Sequence, residues 1–235
     1  GAQIAFYFSS AVSNSFDCPE GCGWQIYVMD IDGTTGCCQI RANPENLTDT
    51  ECVPVWSPTG RYLSFQQGCI VVEPWLLYLV DWQTGQRLQL TDAQLIVRHA
   101  EWLSEEEIFV VCMSSPPAQL YVFNRSGKES RSLFSGTEPD YSSSGWTADH
   151  RFYAWSDWSS HEIFIGELAT NRFVSTGLKG CDPEWSPSGD WLAFTTECLE
   201  EAQESDVWVV RRDGSGLLNL TEAVPGDSSN VAWRP

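Results

Sequence analysis

The 235-residue chain sets 32 Asp and Glu against 13 Lys and Arg, a formal net charge of −19. That balance argues against nucleic acid, whose phosphates need a basic footprint, and against insertion at anionic lipid surfaces. There is no run of about 18 apolar residues to span a bilayer and no signal peptide, while 42% hydrophobic residues and 12 tryptophans supply a core for a single all-β domain.

The chain starts inside a repeat unit, at Gln3-Ile-Ala-Phe-Tyr-Phe8, as expected of a trimmed or mature piece of a longer protein. After the loop Ser9–Gly23 comes a strongly alternating segment, Gln25-Ile-Tyr-Val-Met-Asp30, closed by Asp32-Gly33. Trp56-Ser-Pro-Thr-Gly60 then leads into Arg61-Tyr-Leu-Ser-Phe65, and the alternating segment returns as Leu76–Asp81. The pattern recurs in outline from Trp102 and Trp146, and in full at Trp185-Ser-Pro-Ser-Gly189 followed by Asp190-Trp-Leu-Ala-Phe194. A last copy begins at Trp233.

These anchoring tryptophans stand 39 to 48 residues apart, inside the period of about 20–50 residues that marks propellers and solenoids. Each unit reads as four strands joined by Gly-containing turns, which is a propeller blade. The expected fold is an all-β, five-bladed propeller of four-stranded antiparallel blades, forming one domain over residues 1–235. The repeats fall at about 2–56, 57–102, 103–146, 147–185 and 186–235. The segment Ser228–Trp233 would pair with Gln3–Phe8 to complete the last blade and close the ring, so that no edge strand is left exposed. The tryptophans themselves are expected to fill the wedges between blades.

The Trp-Ser-Pro-x-Gly element and the Ile-Tyr-Val-Met-Asp-x-Asp-Gly segment resemble the TolB-like propeller repeat, best at Trp185–Phe194, Trp56–Phe65 and Gln25–Gly33. The resemblance covers essentially the whole chain. It implies an extracytoplasmic bacterial setting, periplasmic or extracellular, and a protein-binding scaffold. Similar repeats also form the propeller domains of prolyl-oligopeptidase-type hydrolases, whose catalytic domain has no counterpart in this sequence.

Nine cysteines invite a disulfide reading, with at least one thiol left over. Cys52 precedes Trp56 and Cys69 follows Phe65 by the same offset that separates Cys181 from Trp185 and Cys198 from Phe194. If Trp and Phe face each other across the first two strands, each cysteine pair is opposed at disulfide distance. Cys52–Cys69 and Cys181–Cys198 are therefore predicted, against the plainer reading of four small buried thiols. Cys18 and Cys22 could close on themselves or join the Cys37-Cys38 pair around zinc, for which a vicinal pair is poor geometry. The spacing assigns nothing to Cys112.

No Gly-x-Ser-x-Gly elbow, zinc-peptidase, P-loop or dinucleotide signature is present. The starts of the innermost strands offer Arg98, His99, Glu101, Asp182, Glu184 and Asn230 around the channel mouth, and the long loops add the aromatics Trp24 and Trp75. The expected function is a non-enzymatic binding scaffold, holding a protein or peptide by this loop-rich face. The alternative is a glycan-active or glycan-binding propeller, in which Glu101 and Glu184 would lie about 5–10 Å apart as an acid/base pair. No cofactor is expected, with calcium in the acidic channel as the lesser alternative.

Overall fold

A computed structural model describes residues 3–8, 25–30, 36–40, 51–68, 75–113, 119–134, 139–199, 204–228 and 231–234. Among them are nineteen strands and no helix. One sheet holds β1 (Gln3–Phe8), β2 (Gln25–Asp30) and β3 (Gly36–Ile40). The next holds β4 (Glu51–Trp56), β5 (Tyr62–Gln67), β6 (Leu76–Asp81) and β7 (Arg87–Gln89). A third is built from β8 (Ile96–Trp102), β9 (Glu107–Met113), β10 (Gln119–Asn124) and β11 (Ser130–Leu133). The fourth comprises β12 (Pro139–Trp146), β13 (Phe152–Asp157), β14 (Glu162–Glu167) and β15 (Arg172–Lys179). The fifth comprises β16 (Cys181–Trp185), β17 (Trp191–Thr195), β18 (Val207–Arg211) and β19 (Leu218–Asn219).

Each sheet runs in chain order, as propeller blades do. β1 pairs with β2 from Gln3 opposite Asp30 to Phe8 opposite Gln25, and no fourth strand joins this sheet among the described residues. In the segment expected to close it, Asn230 and its neighbour 229 lie outside the described residues, and the flanking residues carry no strand. The chain divides into two compact units, residues 1–114 with 121–131 and residues 115–120 with 132–235.

The third strand of each blade is the clearest case of sequence dictating structure. Leu76–Asp81, Gln119–Asn124 and Glu162–Glu167 share one burial pattern, with the second, fourth and fifth side chains buried. Alternation places Leu77 and Leu79 on one face, in a core with Val97, Trp102, Ile108 and Val110 of the next sheet. Val80 faces the other way, packing with Leu63, Phe65, Ile26 and Val28. In the second unit, Ile163 and Ile165 pack against Trp185, Leu192 and Phe194. Each such side chain stabilises the fold by about 1.5–3 kcal/mol on full burial.

The anchoring tryptophans do pack between blades. Trp102 is 4% exposed and stacks on Tyr62 of the preceding sheet at 6.3 Å. Its indole Nε1–H donates to Val55 O at 3.2 Å and to Ser64 Oγ at 3.1 Å.

In three of the blades the turn after the tryptophan owes its shape to one hydroxyl. Ser57 Oγ accepts from the Tyr62 amide, Thr147 Oγ1 from Phe152 and Ser186 Oγ from Trp191, each at 3.1 Å. The backbone closes identically in all three, with residues 60, 150 and 189 donating to carbonyls 57, 147 and 186 at 2.8 Å. Gly60 and Gly189 hold φ near 71–73°, and His150 takes the same left-handed place at φ 53°. The third blade departs: its turn is a residue shorter and leaves Leu103 where the others have Ser or Thr.

The expected facing of Trp and Phe is corrected by the register. Trp185 pairs with Leu192 and Trp56 with Leu63, not with Phe194 and Phe65. Both first strands carry a bulge directly after their cysteine, with Val53 and Asp182 each at φ 51°.

Candidate functional site

In an antiparallel four-stranded blade, the start of the innermost strand and the loop between the second and third strands share one end. In the fifth sheet a disulfide joins them. Cys181, at the start of β16, is bonded to Cys198, with Cα atoms 6.1 Å apart. The residue opposite Cys181 is Thr195, so the bridge is not a cross-strand pair. It forms because the chain turns at Thr196, where the Leu199 amide donates to the Thr196 carbonyl, and brings Cys198 back. The Cys198 amide also donates to Cys181 Sγ at 3.1 Å. Cys52, at the equivalent place in β4, is disulfide-bonded too; its expected partner Cys69 lies outside the described residues. Cys112 is a free, buried cysteine, and burial pushes its thiol up to about 12, far from reactive thiolate.

The sequence-predicted residues of the first unit come together in two pairs. The Arg98 guanidinium lies 4.0 Å from the centre of the Trp75 ring, so Trp75 is a half-buried partner of Arg98 rather than an open aromatic face. His99 Nε2 stands 3.8 Å from Glu101 Oε2, with both side chains more than a third exposed. Glu101 pairs with Phe109 directly before Trp102, as Glu184 pairs with Ala193 directly before Trp185. The two glutamates are thus equivalent repeat positions, held by Val55 in the second sheet and Gly145 in the fourth. They belong to different units.

In the second unit Glu184 is exposed, and a side chain added at Gly145 would come within 3.8 Å of its Oε2. The Glu184 carbonyl accepts from the Trp233 indole at 3.0 Å. That bond repeats the one from Trp102 to Val55, so Trp233 occupies an anchoring position although no strand is assigned around it. Asp182 and Glu197 bring carboxylate oxygens within 4.8 Å of each other and of Cys181 Sγ, but that sulfur is spent in the disulfide. Trp24, Asn230 and most of the long loops lie outside the described residues.

A cluster that sequence reasoning missed lies at the other end of the blades. Tyr62 is flanked by Arg61, 5.1 Å from its ring centre, and by Arg125 of the following sheet, at 4.3 Å. In the second unit Phe152 is flanked by Arg151 at 5.4 Å and Arg212 at 4.9 Å. Arg125 and Arg212 hold the same repeat position, their amides donating to Glu106 O and Asp190 O. The signal was present in Gly60-Arg-Tyr62 and His150-Arg-Phe152.

No protein-family model matches the chain, and no characterised protein matches it in sequence. Solved structures do match in shape. TolB from Acinetobacter baumannii superposes with a TM-score of 0.59 at 14% identity, over 93% of this chain and 52% of its own. Dipeptidyl peptidase 4 from Porphyromonas gingivalis gives 0.66 at 11% identity, over 89% of this chain and 37% of that one. The β-propeller domain of the Trilobed protease from Pyrococcus furiosus, described as having an open velcro topology, gives 0.60 at 12% identity, over 96% and 70%. The chain thus spans about half the length of that TolB and about a third of that peptidase. What it shares with them is the fold, and that fold is a TolB-like β-propeller.

Proposed function

We propose that this chain is a non-enzymatic binding propeller that holds a protein or peptide at the loop-bearing end of its blades, outside the cytoplasm of a bacterium. The observation that carries this reading is the Cys181–Cys198 bridge, which ties a long loop to the start of an innermost strand. Pinning a loop in this way costs the unfolded chain entropy and pre-orders the loop for a partner. Disulfides at such sites also suit an oxidising compartment. In the first unit, taken by itself, Arg98 stacked on Trp75 and the His99–Glu101 pair offer polar groups near the start of β8. The reading needs no cofactor and no catalytic residue. The propellers of TolB and of the peptidases above are compatible with it as folds.

Affinity capture with the oxidised chain from the extracytoplasmic fraction of its source, followed by titration of the purified partner, tests it. The expected result is a partner whose affinity falls when Cys181 and Cys198 are both replaced by Ser. Turnover in a panel of peptidase and glycosidase substrates, lost on Glu101→Gln, would overturn it in favour of a catalytic propeller.

A further inference from the structure

At the end of the second and third sheets opposite the loop-bearing one lies a cleft of about 420 Å³, the size of a small-ligand pocket. Arg61, Arg87 and Arg125 line it, together with Tyr62, Leu79 and Leu88. Asp81 is the one carboxylate among its lining residues. In a chain with 13 cations against 32 acids, three guanidiniums against one carboxylate in the lining are a local concentration of positive groups, with Glu106 behind Arg125.

Two of these arginines are held in place. Arg125 lies over the Tyr62 ring, its Nε donates to Glu105 O at 3.1 Å, and its Nη2 reaches both Glu106 oxygens at 2.7 and 3.0 Å. Arg61 donates from Nη2 to Asp81 at 3.0 Å beside the same ring. Most of the N–H donors of Arg61 remain unspent, and Arg87 makes no side-chain hydrogen bond or ion pair to any described residue. The Arg61 and Arg125 guanidiniums lie 5.1 and 4.3 Å from the centre of the same Tyr62 ring, so the two cations share one small region. A negative group between them would take up the free donors. Planar, pre-positioned guanidiniums suit the paired oxygens of a carboxylate or phosphate.

We propose that this cleft is a binding site for a small oxyanion ligand, carboxylate or phosphate, recognised by Arg61, Arg125 and Arg87. The site is separate from the loop-bearing end, and its test does not depend on the partner proposed there.

The test is a titration of the intact, ¹⁵N-labelled 235-residue chain with inorganic phosphate in one arm and succinate in the other, at constant ionic strength. The expected result is saturable shifts of the amides at 61–62, 86–88 and 125–126 in at least one arm; the arm with the tighter dissociation constant identifies the ligand chemistry. Joint replacement Arg61→Ala and Arg87→Ala, both exposed positions, is expected to weaken binding about tenfold or more. Arg212→Ala, at the equivalent position of the other unit, is expected to leave it unchanged. Absence of saturation in both arms, or binding that survives the double replacement in a folded protein, overturns the proposal.

Discussion

The two units carry the same arginine–aromatic–arginine arrangement and finish it differently. Around Tyr62, both guanidiniums are gripped by carboxylates, Asp81 on Arg61 and Glu106 on Arg125. Around Phe152, the paired acid is Asp190, 3.9 Å from Arg212, with both groups exposed. The outermost strands diverge as well. Arg87 in β7 pairs with Val80, whereas the equivalent residue in β15 is Phe173, paired with Gly166. Phe173 joins Phe134, Trp155 and Phe164 at ring separations of 5.7–6.4 Å. The ring of Phe134 lies so close over Gly166 that an added Cβ would stand 2.4 Å from it. One unit therefore spends this part of the repeat on an aromatic core. The other keeps it polar and leaves a cleft.

The sharpest way to break the comparison is to empty the aromatic side. Phe134 is 1% exposed, so Phe134→Ala is expected to cost about 3–5 kcal/mol, read as a lower urea midpoint. A cost below about 1 kcal/mol would show that Phe134 is not a core residue of the second unit.

A smaller effect separates the arginines. Arg125→Ala loses a stacking contact, a bond to the Glu105 carbonyl and the pair with Glu106, for about 1–2 kcal/mol. Arg212→Ala loses a stacking contact and a long, exposed pair, for less than about 1 kcal/mol. Equal losses in parallel urea melts would mean that the acids around Tyr62 contribute nothing.

The smallest effect is a pH dependence carried by one carboxylate of the first unit, Glu105. Glu105 reaches from the third blade's turn to the second blade's, accepting from Ser57 Oγ at 3.0 Å and from the amide and hydroxyl of Thr59 at 3.1 and 2.8 Å. Burial pushes its carboxyl up, but the Thr59 and Ser57 hydrogen bonds and the charge of Arg125 outweigh it and hold the pKa below the usual range. A depressed folded pKa adds stability above the unfolded pKa, and that stability is lost as pH falls through the folded one. Relative to Glu105→Gln, the parent chain should therefore be more stable at neutral pH, with the gap closing in acid. A constant gap from neutral pH down to acid-induced unfolding would contradict the assignment. In the second unit the corresponding turns approach closely, the Thr147 methyl lying 3.1 Å from where a Cβ on Gly189 would stand.

Blade number, strand order and the packing role of tryptophan were readable because each depends on residues a repeat apart or on simple alternation. The first-strand register was not. It is shifted by bulges whose left-handed residues are Val53 and Asp182, and nothing in a valine announces positive φ. The Cys181–Cys198 bridge was foreseen from spacing, yet it arises through the turn at Thr196 rather than across the strands. The arginine sandwich as a whole is not legible in the sequence because its two halves lie on neighbouring repeats, and Arg125 and Arg212 share a repeat position only through their amide bonds to Glu106 and Asp190.

The hydroxyl that follows Trp56, Trp146 and Trp185 has a consequence for how such a chain can drift. The fourth blade keeps neither proline nor glycine, yet Thr147 and His150 close the same loop as Ser57 with Gly60 and Ser186 with Gly189. Three of the blades thus keep a shorter grammar than the Trp-Ser-Pro-x-Gly spelling, an indole, a hydroxyl and a residue that tolerates the left-handed bend, and the third blade, with Leu103 and a shorter turn, keeps only the indole. A repeat can lose most of its letters and still be a blade, which is why kinship of this kind outlives recognisable sequence.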